Sequence, residues 1–568
     1  MLPSSGGQEE KPKSSQMRRY GPIAVVVVVL VIIGVVVAVS GGSDKKTSTA
    51  SSGSTESSGT ASGTGTSTTG AISFSAAKAA GRTDLTFNHC DTDLGRVAMP
   101  NHYAPECYAV QPAAASTAKG VTDNSIKVVV YLAQENDPVL AYINAAIANK
   151  DTNAQVEETY KGYTDMFQTM YQTYGRTVDL EFLVGSGIAT DSIAARADAV
   201  KATEEMGAFA VWGGPALAPA WTDEIKAHGV ICLGCPAIND NEPVVFPITA
   251  SAQQQNAQLE EYVQKRLTGK AVHAGDPTLQ AMDRKIGELY IDTGGDEQKN
   301  AAAFKSDLAA KGVNIAVQVP YTLDPARLQE EAGTAISQLK SNGVTTVILV
   351  GDPIAPGQFT TEATSQGYSP EWVIGGSALM DTTAFGRSYD QAQWAHAFGI
   401  SSLSARVTAD HAPAINLYKW FNGVEPPAFD SSQVLYPQPS LFFAALQAAG
   451  PSLTADTFRQ GLFEMQNPGE ALTAPTITYG STDLYPGLGT DYNGIDDFTE
   501  IWWNATATGP DEIQKQGTGM LAYVDGGKRY LPGAWTTTDK LFQSAGAVTI
   551  YDQIPAAEAP KDYPPPTK

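Results

Sequence analysis

The sequence predicts an α/β protein of two doubly wound lobes joined by a hinge, and three observations carry that prediction. Short apolar runs bounded by turn residues recur, helix-patterned segments separate them, and the alternation occurs twice along the chain. In the first half the runs are 126–132, 178–184, 209–212 and 230–233. Near-continuous apolar runs suit parallel strands covered on both faces. Residues 159–174 place Met166, Met170 and Tyr174 on one helical face, and 192–206 is a second helix, rich in Ala and Glu, stopped by Gly207. Such alternation gives right-handed crossovers. In the second half, 285–291, 313–321, 345–350 and 372–374 read as strands. Residues 297–311, 325–341 and 358–366 read as helices, the first two stopped by Gly312 and Gly343. Two such units predict a cleft between lobes, the default small-molecule site. Its ligand belongs at the loops beyond the carboxyl ends of the strands.

The chain has 568 residues, more than one compact core holds. Its net charge of −23 argues against nucleic acid as a partner, because neutralising phosphates needs Lys and Arg. The acidity serves solubility. Residues 23–39 are an unbroken apolar run. As a helix rising about 1.5 Å per residue, it nearly crosses a hydrocarbon core of about 30 Å. Lys11, Lys13, Arg18 and Arg19 precede it and Lys45 and Lys46 follow, which puts residues 1–22 in the cytoplasm and the bulk outside. The expectation is a single-pass anchor in the cell membrane, with a cleaved signal peptide ending near Ser40 as the competing reading. Residues 40–70 are almost all Ser, Thr and Gly and read as a flexible tether. Residues 71–120 form a mixed extension, and 546–568 a Pro-rich tail, expected to be disordered over 555–568.

The four cysteines are Cys90, Cys107, Cys232 and Cys235. An even count outside the cell suggests disulfides. Three pairings are possible, and the local ones, Cys90–Cys107 and Cys232–Cys235, are favoured. A redox role for Cys232-Leu-Gly-Cys235 competes, but that chemistry wants the first Cys at a helix N-terminus, and here the pair ends a strand. A metal site from His89, Cys90, His102 and Cys107 fits no usual zinc spacing. No nucleophile elbow, Walker loop or His-Glu-x-x-His helix occurs, so neither enzyme chemistry nor a cofactor is expected. The Gly213-Gly214-Pro215-Ala216 turn follows a strand, but no Lys follows it to hold a phosphate.

These residues carry a family resemblance. Val121-Thr-Asp-Asn-Ser-Ile-Lys-Val128 resembles the opening strand of extracellular solute-binding proteins of the type I periplasmic fold. Tyr174-Gly-Arg-Thr-Val-Asp-Leu180, Phe209-Ala-Val-Trp-Gly-Gly214, Phe246-Pro-Ile-Thr249 and Gly526-Gly-Lys-Arg-Tyr530 follow in the family's order. These resemble the leucine/isoleucine/valine-binding proteins of ABC importers. The resemblance implies lobe 1 at 121–247 plus 378–485, lobe 2 at 248–377 plus 486–545, and three hinge strands. It implies ligand contacts at Gln134 and Glu135, at Gly214, Pro215, Ala216 and Leu217, and at Pro236, Ala237, Ile238 and Asn239. From lobe 2 it implies Gly294, Gly295 and Asp296, then Asp352 and Pro353, then Gly376 and Ser377. Asp352 has two readings, a strand-end cap or a ligand contact. The small hydroxyl residues that amino-acid binders carry after 209–212 are absent, as is the usual aromatic in 292–296. The resemblance implies a non-enzymatic binder that captures an amino acid, amide or related polar solute for an importer permease. An envelope sensor or scaffold, and a thiol oxidoreductase, are the alternatives.

Overall fold

The structure is a computed structural model. It describes residues 69–115, 118–215, 218–235, 243–292, 297–322, 327–376, 379–465, 471–480 and 483–567. The apolar run 23–39 and the tether up to residue 68 lie outside the described residues. Among the described residues no helix is long and apolar enough to cross a membrane.

The extension opens with α1 (Phe74–Ala79) and a hairpin of β1 (Cys90–Asp91) and β2 (Arg96–Val97). The Cys90–Cys107 disulfide closes it. Val97, Met99 and Ala104 sink into the core of the first lobe, so the extension is part of that lobe and not a spacer.

The first sheet holds β3 (Ser125–Leu132), β4 (Thr177–Val184), β5 (Ala210–Trp212), β6 (Ile231–Leu233) and β7 (Val245–Phe246). All pair in parallel, in the order β4-β3-β5-β6-β7. Between these strands run α2 (Pro138–Ile147), α3 (Asn153–Met170), α4 (Ser192–Val200) and α5 (Ala220–Ala227). A capping box between Thr152 and Gln155 starts α3 earlier than the spacing predicts. The extended C-cap Tyr171 ends it at Met170, so Tyr174 lies beyond the helix, not on its face. Tyr174 is nonetheless buried, its hydroxyl donating to the Gln447 carbonyl at 2.5 Å.

The chain then crosses over to α6 (Ala252–Arg266) and the second sheet. That sheet contains β8 (Ile286–Ile291), β9 (Ile315–Tyr321), β10 (Thr346–Val350), β11 (Glu371–Gly375) and β12 (Ala397–Ser401), all parallel. The short α7 (Pro277–Gln280) precedes it, and α8 (Glu297–Ala310), α9 (Leu328–Ser341), α10 (Ala355–Ser365) and α11 (Thr383–Gly386) connect its strands. Gly312 and Gly343, at φ of +83° and +65°, terminate α8 and α9 as the sequence predicts. An antiparallel set, β13 (Phe498–Pro510), β14 (Gln516–Tyr523) and β15 (Arg529–Tyr530), extends the β12 edge.

Two expectations change. Residues 379–401 stay with the second lobe, because β12 pairs with β11 and the helical turns between them bury Phe385, Tyr389 and Trp394 in that lobe's core. The return to the first lobe comes later, with the helix Pro413–Asn422, whose Leu417, Tyr418 and Phe421 join the first core. The Pro-rich tail is held along the surface. Tyr551 pairs with Val407, and Glu558 accepts from the amides of Leu472 and Thr473 and from the Tyr103 hydroxyl. Lys561 and Tyr563 both reach Asp91. Backbone pairs hold the tail at Val548 and Tyr551, and from Pro555 onward, where prolines remove amide donors, side chains fasten the strap.

Candidate ligand-binding cleft

In an open parallel sheet the crevice for a ligand forms where strand order reverses. Here the reversals lie between β3 and β5 in the first lobe and between β8 and β10 in the second. Residues that follow β3 and β4 meet the core beneath β10 and β11. Leu140 and Ile147 of α2 pack against the second-lobe core, and Ala189, after β4, is buried in it. The Lys515 ammonium, from the β13–β14 turn, donates to the Ile147 carbonyl at 2.7 Å. Sequence reasoning missed α2, Ala189 and Lys515. The available signal was the decapeptide Pro-Val-Leu-Ala-Tyr-Ile-Asn-Ala-Ala-Ile directly after the β3 end.

The predicted first-lobe residues largely serve the chain itself. Gln134 donates to the Gly185 carbonyl at 2.9 Å, tying the ends of β3 and β4. Glu135 Oε1 accepts from the Asn153 amide at 2.9 Å, at the start of α3. Asp137, fully buried, accepts from the amides of Leu140 and Ala189 and so orients α2. Gly214 has a steric reason: a Cβ there would lie 2.5 Å from the Trp221 indole, which donates to the Gly213 carbonyl. Pro215 is buried beside it. Ala216, Leu217, Pro236, Ala237, Ile238, Asn239, Gly294, Gly295, Asp296 and Ser377 lie outside the described residues.

In the second lobe, Asp352 has both oxygens engaged. Oδ1 accepts from the amides of Ile354 and Ala355, and Oδ2 from the Tyr321 hydroxyl at 2.7 Å. Burial pushes its carboxyl up, and these donors oppose the shift. The Pro353 carbonyl accepts from the Tyr389 hydroxyl, and Gly376, at φ +79°, packs against Phe498 and Ile400. Asp381 is buried beyond β11. Burial pushes it up to about 6, although the Ser401 hydroxyl donates to it.

Cys232 and Cys235 form a disulfide that is almost fully buried at the end of β6, which leaves little access for thiol exchange. The Cys90–Cys107 bond removes both thiols that a zinc site with His89 and His102 would need. Among the described residues no group of three or more His, Cys, Asp or Glu is arranged to hold a metal ion. An open recess of about 860 Å³ is walled by α9 and α10, not by strand ends.

Three crossovers connect the lobes, at residues 247–251, 402–412 and 471–497. They are cross-linked. Tyr479 donates to the Pro247 carbonyl, and Gly494 to that of Thr249. Arg529 donates to the carbonyls of Ser402 and Leu403 and pairs with Asp497 at 2.7 Å. Beside this pair, Gln254 donates to Asp491 and Thr478 to Asp496. Burial holds both carboxyls above the usual range, and the charges of Asp491 and Asp497 raise Asp496 further.

The sequence profile of the periplasmic binding protein family matches residues 189–483, more than half of the 568-residue chain. No curated protein matches. Among solved structures, the fatty acid ABC transporter substrate-binding protein from Thermomonospora curvata is 13% identical at a TM-score of 0.48, covering 75% of this chain and 100% of that one. The branched-chain amino acid transporter substrate-binding protein LivJ from Streptococcus pneumoniae, in complex with isoleucine, is 15% identical at 0.46, covering 70% and 100%. A substrate-binding protein of an ABC transporter from Aeropyrum pernix is 12% identical at 0.49, covering 74% and 97%. With one parallel and one mixed sheet, three crossovers and a profile match that reaches into both sheets over more than half of the chain, this chain belongs to the periplasmic binding protein family, a family of solute binders and not of enzymes.

Proposed function

We propose that the protein captures a small solute between its two lobes, outside the cell, and delivers it to the permease of an ABC-type importer. One observation carries the reading: the segments beyond β3 and β4 meet the core beneath β10 and β11, so the two switch points border one cleft. The apolar run 23–39 supports an uncleaved membrane anchor, and the Ser/Thr/Gly stretch after it supports a tether. The family resemblance favours an amino acid, an amide or a related polar solute. The strand-end loops named from the sequence, including those at 216–217, 236–239 and 294–296, are the proposed contacts.

Thermal-shift screening against amino acids, amides, polyamines and short organic acids tests this reading. A binder is expected to raise the melting temperature and to shrink the radius seen by X-ray scattering. Replacing Ala216 with Trp is expected to abolish both effects. Unchanged affinity in that variant would displace the first-lobe half of the cleft. The direct packing of α2 across the cleft favours a second reading, an envelope sensor or scaffold whose lobes close on their own side chains. A broad screen without any melting shift would move that reading ahead.

A further inference from the structure

We propose that the hinge holds a single divalent cation of the calcium type, bound by Asp483, Asp491 and Asn493. The third crossover, 471–497, folds back against the first at the start of α6. Gly494 donates to the Thr249 carbonyl, and a Cβ on it would lie 2.3 Å from the Ile248 oxygen, so only glycine lets the two segments approach this closely. Gln254, in the first turn of α6, donates to Asp491 at 2.8 Å. Beside these contacts lies a cavity of about 20 Å³, room for one water molecule or one bare ion. Its walls include Ser251 and Gln254 on the α6 side, and Asp483, Tyr485, Asp491 and Asn493 on the crossover side.

Asn493 is only 3% exposed, yet its Oδ1 accepts from no donor among the described residues. A buried oxygen left without a partner is costly, and this one belongs to a residue that lines the cavity. A water molecule would satisfy that oxygen, but not the charge around it. Among the described residues no Lys, Arg or His pairs with Asp483, Asp491 or the fully buried Asp496. The guanidinium of Arg529 is taken by Asp497 at 2.7 Å. Acid groups gathered without a cation repel one another, and a bound ion removes that repulsion. The donor set is all oxygen: two carboxylates and an amide carbonyl, with the loop carbonyls of Leu488 and Gly489 at the same wall. Hard cations take such ligands, and calcium accepts them in irregular geometry. Asp491-Tyr-Asn493 also has the acid-x-amide spacing with which a calcium loop presents its first two oxygens, and the Asn493 amide donates to Asp491 at 2.8 Å to curl that turn. A cation here ties the third crossover to the start of α6, directly after the first.

The test uses the full chain in nanodiscs of zwitterionic lipid, with protein-free nanodiscs as reference, stripped with EGTA and then titrated with calcium chloride. Calcium is expected to bind at a single saturable site and to raise the melting temperature, and EGTA to reverse both. Asp483→Asn is expected to weaken binding about tenfold, because ligand charge sets calcium affinity. Asp483 is exposed, so the variant is safe for folding, which circular dichroism checks. Asn493→Ala is expected to weaken binding as well. Asp179→Asn, at an exposed carboxylate of β4, is expected to leave it unchanged and so separates the site from general attraction to an acidic surface. No saturable binding at millimolar calcium overturns the proposal and leaves the cavity to water. Equal binding by the wild type and Asp483→Asn overturns it too, as does equal weakening by Asp179→Asn. Each of these results leaves the solute-binding reading of the cleft intact.

Discussion

Asp352 ends its strand with three donors on its two oxygens, two of them amides of the next helical turn. Replacing it with Ala orphans buried donors, so Asp352→Ala is expected to lower stability by about 1–3 kcal/mol in urea unfolding. Glu288 is a different case. It lies buried in β8 with Gln318 as its hydrogen-bonding partner, and burial pushes it up to about 7. Because its folded value is raised, the stabilisation it offers is complete below the ordinary carboxylate range. It is lost as pH rises through about 7. Urea midpoints of the wild type should therefore fall between pH 5 and 8, and those of Glu288→Gln should fall less steeply. Equal slopes would remove Glu288 as a cause. The Cys90–Cys107 bond closes a loop with a sequence separation of 17, so its removal is expected to cost roughly 3 kcal/mol. Melting of a Cys90→Ala/Cys107→Ala variant measures that cost.

At the level of elements, α2 is the only described helix found to pack its side chains on the opposite lobe's core. An aspartate at position 147, which is partly buried, would replace an apolar contact with a charge against that core. Ile147→Asp is therefore expected to part the lobes and enlarge the radius by X-ray scattering, and an unchanged radius would show that other contacts hold them together. Eight of the ten parallel strands, β3–β6 and β8–β11, were legible in the sequence because strands covered on both faces leave unbroken apolar runs, whereas β7 and β12 were not read. Helix starts were less so: α3 begins where a capping box places it, upstream of the periodic apolar face. The β13–β14 hairpin went unread although its strands are neighbours in sequence, and so did the helices after residue 402, whose packing partners in the first lobe are distant in sequence. Of the candidate site, the strand-end positions followed from family order. Gln134, Glu135 and Asp352 then proved to be bonded within the chain. Among the described residues, Leu140, Ile147 and Ala189 pack on the opposite lobe's core and Lys515 reaches the Ile147 carbonyl, and none of them carries a motif.

For the whole molecule, the closed form gains from any solute that prefers it. Mass action stabilises the fold by roughly 2.7 kcal/mol at a hundredfold excess over the dissociation constant. Arg529 fastens one crossover to another through Asp497 and the carbonyls of Ser402 and Leu403. The described chain begins at Thr69, whose hydroxyl donates to the Ala448 carbonyl of the first lobe at 2.7 Å. With the anchor proposed for residues 23–39, the leash is therefore tied to one half of the clamp. Under that proposal the tether joins the first lobe alone, so closure of the second lobe would leave the point of attachment unmoved.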